Sequence, residues 1–244
     1  MKKQKDILNQ MAKHTTATNQ RLVSLSRFMQ ILDGTFPSGI FVHSFGLEPH
    51  IIKWIVKDIT TLRVYLNNLI LDQYMRLEFV IVKKIYEDLK NEKMNKIYSL
   101  DNSYSSFLSY EYTKASTNIG FNYYTQLKSQ VSKVVVKKYF DALESKKSDG
   151  NELIVLSTYA FDLDIDFEDF IVMWCKKNLI NISATALKIS RIKPSEIQQM
   201  LFEFDEILGN IEFEKLSDKI TNFNPLFEEV IFSHKNLEPK MFTT

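Results

Sequence analysis

The stretch LSYEYTKASTNIGFNYYTQL, running from Leu108 to Leu127, decides the fold, because Leu108, Tyr112, Ala115, Ile119, Tyr123 and Leu127 return every three or four positions. That spacing lines one face of an α-helix, where a half-buried strand would alternate. Upstream, Asp58 suits the N-cap of a helix carrying Leu62, Leu66 and Leu69, which continues, with or without a break, through Leu77, Val80, Ile81 and Ile85. Earlier still, Leu22, Leu25, Phe28, Met29 and Leu32 mark the face of a first helix, with Gly34 placed to stop it. Downstream, Val134-Val135-Val136 has strand propensity, but its flanks Lys133, Lys137, Lys138 and Tyr139-Phe140 fit an amphipathic helix to about Ser145. Lys146 to Gly150 reads as a loop before a helix over Leu153 to Phe161. Asp166 and Asp169 then open a helix that is apolar nearly all round, with Phe167, Phe170, Ile171 and Trp174 on one side and Val172, Leu179, Ile180 and Leu187 elsewhere. Such a helix is central or lies at a subunit contact. Pro194 and Gly209 bracket the next helix, and Pro225 opens one more. The expected fold is an all-α single domain of about eight to ten helices. Residues 1–18 form a flexible N-terminal extension, 19–234 the helical body and 235–244 a C-terminal tail.

Composition agrees. Six glycines and five prolines in 244 residues leave few turns and favour long helices. Apolar residues make up 45% and charged residues 25%, so the chain can bury a core. Thirty-one basic residues against 30 acidic ones give a net charge of +1, which argues against a nucleic-acid partner. The apolar run Phe170 to Cys175 is far short of the roughly 20 residues needed to span a bilayer. The charged start, Met1 to Asp6, has no apolar segment behind it, and a single cysteine, Cys175, builds no disulfide framework. A reducing, cytoplasmic setting is the expectation.

Gly34, Gly39 and Gly46 cluster with Pro37 in one special loop. On the residues alone it reads as a tight connection between two helices, with Gly34 as C-cap and Ser44 as N-cap, or as a surface shaped for a partner. His43, Glu48 and His50 lie close enough to suggest a metal or acid–base site, although their spacing differs from the His-Glu-x-x-His pattern that puts two imidazoles on one helix face. Ser38 or Ser44 beside His43 lacks the Gly-x-Ser-x-Gly elbow of a nucleophile, and no phosphate-cradling glycine motif is present. Cys175, next to Trp174, reads as a small buried hydrophobe. The residues alone describe an all-helical chain without catalytic residues or metal ligands of its own.

The segment Phe36-Pro37-Ser38-Gly39-Ile40-Phe41-Val42-His43-Ser44-Phe45-Gly46-Leu47-Glu48 resembles the signature of the urease accessory protein UreF family: a Pro-x-Gly turn, an aromatic, then a His/Tyr-Ser-x-Gly-Leu-Glu stretch. The resemblance extends through Glu111 to Tyr123 with Gly120, Asn178 to Ile189, Gln198 and Leu201. It reaches the end at Pro225, His234, Leu237, Lys240, Met241 and Phe242. Departures include Lys240 for a terminal arginine, Thr244 for a serine, Lys235 for a glutamate, Ile197 for a glycine, and Glu152 and Ser157 for a histidine and glycine. Pro49 removes a donor after Glu48, so the second helix is expected to begin later or bend there.

The resemblance implies a non-catalytic scaffold, present as a homodimer, that joins the UreD/UreH scaffold and the GTPase UreG on apo-urease. Nickel is then handled by the complex, and the chain has no cofactor of its own. The implied partner-binding residues are Pro37, Gly39, His43, Ser44, Phe45, Gly46 and Glu48 in the loop and His234, Leu237, Lys240, Met241 and Phe242 in a tail that orders on binding. Two other readings stay open: an all-helical interaction module serving a different client, and a small metal hydrolase built on His43, Glu48 and His50.

Overall fold

The computed structural model describes residues 18–40, 43–221, 225–238 and 240–242, and all their side chains except those of 225–228, 234 and 235. Residues 1–17 of the expected extension, and Phe41, Val42 and Thr244 of the two motifs, lie outside the described residues. Every regular element described is helical. Helix α1 covers 18–32, α2 Leu47–Ile52 and α3 Ile59–Asn68. A π-helical stretch, Leu69–Tyr74, leads to α4 (Glu78–Lys90), α5 (Met94–Phe107) and α6 (Tyr110–Leu127). Then come α7 (Val134–Glu144), α8 (Glu152–Asp162), α9 (Phe167–Ile189), α10 (Pro194–Gly209) and α11 (Pro225–Phe232).

Local chemistry sets several boundaries. Asp58 closes a reciprocal cap with Thr61, its carboxylate accepting from the Thr61 amide at 2.8 Å. Pro194 occupies the first turn of α10, where its missing N–H costs nothing. Pro49 also falls within a first turn, so α2 starts before it and does not wait for it. Helix α1 ends at Leu32, two residues before Gly34, where the stop was expected. On α1 itself the inward face is Phe28 and Ile31, while Leu22 and Met29 point to solvent.

The helix buried all round is α8, whose residues are all inaccessible apart from the half-buried Phe161. It lies against α4, α6 and α7. Gly120 makes the α6 approach possible: a Cβ there would stand 1.9 Å from the Gly150 carbonyl oxygen, a distance no side chain survives. The expected apolar helix, α9, buries Phe170, Ile171, Trp174 and Cys175 but leaves Ile180 and Leu187 at the surface. It carries Trp174 into edge contact with Tyr74, ring centroids 4.9 Å apart.

Two polar assemblies sit inside this apolar body. Asp101, fully buried on α5, accepts from the Tyr139 hydroxyl (2.9 Å), the Ser148 hydroxyl (2.7 Å), the Gly150 amide (2.8 Å), the Asn151 amide (3.0 Å) and the Asn151 side-chain amide (2.9 Å). It thereby pins the 145–151 connection to α5 and α7. Glu152 and Lys177 form a buried ion pair, to which the Trp174 indole donates at 3.2 Å. Nearby, Glu78 accepts from Gln73 (2.8 Å) and Tyr104 (3.1 Å), and burial pushes its carboxyl up to about 7.

Candidate functional site: the loop and tail junction

The special loop is built residue by residue from α1 onward. Asp33 accepts from both the amide and hydroxyl of Thr35, which turns the chain out of α1 and holds the Asp33 carboxyl below its usual range. Phe36 stacks on Tyr123 at 5.4 Å, and the Ser38 amide donates to the Phe36 carbonyl at 2.7 Å, leaving Pro37 exposed at the bend. Asn122 of α6 donates to the Ser38 carbonyl at 2.9 Å, under the left-handed Gly39. The loop is thus bolted to the middle of α6.

Its second half turns inward. His43 is 8% exposed and faces the Phe45 ring, and burial lowers its imidazole to about 4, so the neutral form is held near neutral pH. Phe45 and Gly46 both take left-handed φ values, 51° and 83°. The expected Ser44 cap does not form: Gly46 holds the N-cap position of α2, and the Ser44 hydroxyl is buried with no hydrogen-bond partner among the described residues. A Cβ on Gly46 would meet Ile231 of α11 at 2.7 Å, so the glycine serves both φ and the seat of α11. His50 reaches back, its Nδ1 donating to the Gly46 carbonyl at 2.7 Å, with its ring against the edge of Tyr65. The Tyr65 hydroxyl donates to the Phe45 carbonyl at 3.2 Å.

Glu48 is the point where the two ends of the chain meet. Its carboxylate, 1% exposed, accepts from the backbone amides of Met241 at 2.7 Å and Phe242 at 3.2 Å. Both bonds run from main-chain donors of the tail to one buried side chain of α2. Phe242 is buried on the body beneath the Lys188 ammonium, 5.5 Å from its ring centroid. Met241 and Lys240 stay exposed, and Leu237 is half-buried. His234 falls in the 3-10 turn Ser233–Asn236; its side chain lies outside the described residues. The structure therefore joins loop and tail, with Pro37, Gly39, Lys240 and Met241 facing outward and His43, Ser44, Gly46, Glu48 and Phe242 shaping the surface from beneath.

Helix α2 ends in a way its sequence does not announce. The Trp54 amide donates to the Ile51 carbonyl and the Ile55 amide to the His50 carbonyl, each at 2.9 Å, the paired bonds of a Schellman stop. The left-handed residue, at φ 59°, is Trp54 rather than glycine, and it is 78% exposed. A non-glycine residue there costs roughly 1–2 kcal/mol.

No group of three or more His, Cys, Asp or Glu among the described residues could hold a metal ion. Burial pushes the Cys175 thiol far up, away from a reactive thiolate. Among the described residues no helix is long and apolar enough to cross a membrane. Sequence reading missed Asp101, Glu78 and Lys177 as buried polar centres. Lys177 stands beside Lys176 in what looks like a solvated pair, and Asp101 lies in a helix rich in Ser and Asn.

Fold and site together define an all-helical chain whose signature residues fasten one stretch of backbone to another. The chain belongs to the UreF family: the UreF family model matches residues 56–205. That match starts after Glu48 and ends before α11, so it is independent of the loop and tail. The chain is also similar to the urease accessory protein UreF of Ureaplasma parvum serovar 3, at 24% identity over 203 residues covering 79% of this chain and 85% of the relative. With the urease accessory protein UreF of Ureaplasma urealyticum serovar 10 it shares 23% identity over 207 residues, 83% of this chain and 85% of that one.

Proposed function

We propose that this UreF-family chain is a non-catalytic scaffold of urease maturation. It pairs as a homodimer with UreD/UreH and the GTPase UreG on apo-urease, and nickel passes to urease as cargo of that assembly. The observation that carries the reading is the junction at Glu48. Two sequence motifs 193 residues apart in the chain are joined by hydrogen bonds into one surface, which is what a docking platform needs and what a catalytic pocket does not. Family membership supports the reading independently. Glu48, His50 and Tyr65 point their polar atoms at backbone rather than at open space, so their work is to fix a shape.

Co-expression of the tagged full chain with its cognate UreD/UreH and UreG tests this. A complex recovered on the tag, together with loss of urease maturation when the chain is deleted, is the expected result. Removal of residues 235–244 should abolish UreD/UreH capture while circular dichroism shows unchanged helicity. Absence of any complex, with urease maturing normally without the chain, would overturn the proposal.

A further inference from the structure

Beside the loop and tail junction lies an open groove of about 730 Å³. Its floor is aliphatic, from Ile51, Val56 and Ile189, and Trp54 and Met241 stand on its rim. The charged residues lining it are Lys57, Lys188 and Arg191; no carboxylate is among the described lining residues. Lys188 is engaged over Phe242, whereas neither Lys57 nor Arg191 has an ion-pair partner among the described residues.

From this charge pattern we propose that the groove docks an acidic amphipathic helix of a partner protein, its aliphatic face on Ile51, Val56 and Ile189 and its carboxylates on Lys57 and Arg191. This deepens the scaffold reading, and rests on it for there being a partner, by giving the chemistry of what binds next to the tail. The backbone at Trp54 is a second, independent support. A large apolar side chain is kept in solvent at a left-handed position that glycine would fill without strain, so the fold gives up stability to present that ring at the groove's edge. A concave aliphatic floor receives a helix ridge, whereas a membrane surface calls for a protruding apolar element. An acidic helix also suits a chain whose net charge, +1, supplies no general attraction for anions, so that recognition has to be local.

The probe is a 14-residue amphipathic peptide with leucines on one face and glutamates on the other, compared with the same peptide carrying lysines in place of glutamates. The chain has two tryptophans, Trp54 exposed and Trp174 buried, so acrylamide quenching reports mainly on Trp54. The glutamate peptide should at least halve the quenching constant and lose affinity as salt is raised; the lysine peptide should leave quenching unchanged. With a labelled peptide and fluorescence anisotropy, Lys57→Glu combined with Arg191→Glu should weaken binding at least tenfold, and Trp54→Gly at least threefold. All three positions are exposed, so the variants keep their helicity.

Equal binding of both peptides, binding of neither, or unchanged affinity in the charge-reversed variant overturns the proposal. Protection of Trp54 by phosphatidylserine vesicles but not by the glutamate peptide also overturns it, in favour of a lipid surface. If the wild-type chain binds the glutamate peptide as expected but forms no complex with UreD/UreH or UreG, the scaffold reading fails and the groove assignment stands. The reverse pattern sinks the groove alone.

Discussion

Two buried carboxylates do similar work in different settings. Asp101 gathers five donors from a hydroxyl on α7, from Ser148, from the backbone entering α8 and from the Asn151 side chain, all between 38 and 50 residues away. Glu48 gathers two backbone amides from a tail 193 and 194 residues away. Around Asp101 every partner is itself buried, so the bonds are cooperative with the core. Around Glu48 the donors belong to a short terminal segment anchored by Phe242 and carrying the exposed Met241. The first carboxylate is a permanent staple. The second is a clasp that fastens a short terminal segment to α2.

Asp101→Ala should have the largest effect, because it leaves several buried donors unpaired: about 3–5 kcal/mol of stability, read from the shift in the urea midpoint. If it costs no more than the equivalent change at Glu48, the distinction between staple and clasp collapses.

Next in size is a pH effect belonging to the core. Glu78 has a folded-state carboxyl raised to about 7 from an ordinary value of 4.5. The folded protein therefore holds that proton more tightly than the unfolded chain, and the associated stability is complete below pH 4.5 and lost as pH rises through 7. The difference between the wild type and Glu78→Gln across that window should be on the order of 3 kcal/mol. A flat difference would show that burial does not raise the Glu78 carboxyl. The loop titrates in the opposite sense. His43 is depressed to about 4, so its contribution is present above its ordinary value of 6.5 and fades as the solution is acidified toward 4.

Glu48→Ala should cost the molecule only about 1–2 kcal/mol, while hydrogen exchange at the Met241 and Phe242 amides speeds up far more than exchange in α8. Uniform acceleration throughout the chain would make the tail an integral part of the core. Smallest of all, Trp54→Gly should raise stability by about 1 kcal/mol by relieving the left-handed tryptophan, measured as a higher melting temperature. A drop would mean that Trp54 packs on the body.

The helices were legible wherever one face repeats: Ala115, Ile119, Tyr123 and Leu127 on α6, the cap at Asp58 and the helix starts at Asp166 and Pro194 all stand where their spacing and chemistry put them. The π-helical stretch at Leu69–Tyr74 was not legible, because its residues suit an α-helix equally well. The loop was recognisable by its glycines and by its resemblance, but its helix cap was misplaced. Ser44 has the chemistry of a cap, yet Gly46 takes the position because only a residue without a side chain fits against Ile231. That constraint comes from α11, nearly the whole chain away.

What the sequence determined by itself is the all-helical class, the position of the special loop and the family, since each rests on local periodicity, turn chemistry or a contiguous motif. Only the tertiary structure decided that α8 rather than α9 is buried all round, that Glu48 holds Met241 and Phe242, and that Trp54 edges a basic, aliphatic groove. Those facts depend on residues far apart in the chain being brought within hydrogen-bond or van der Waals distance. A local pattern fixes which face of a helix is apolar but not which partner covers it.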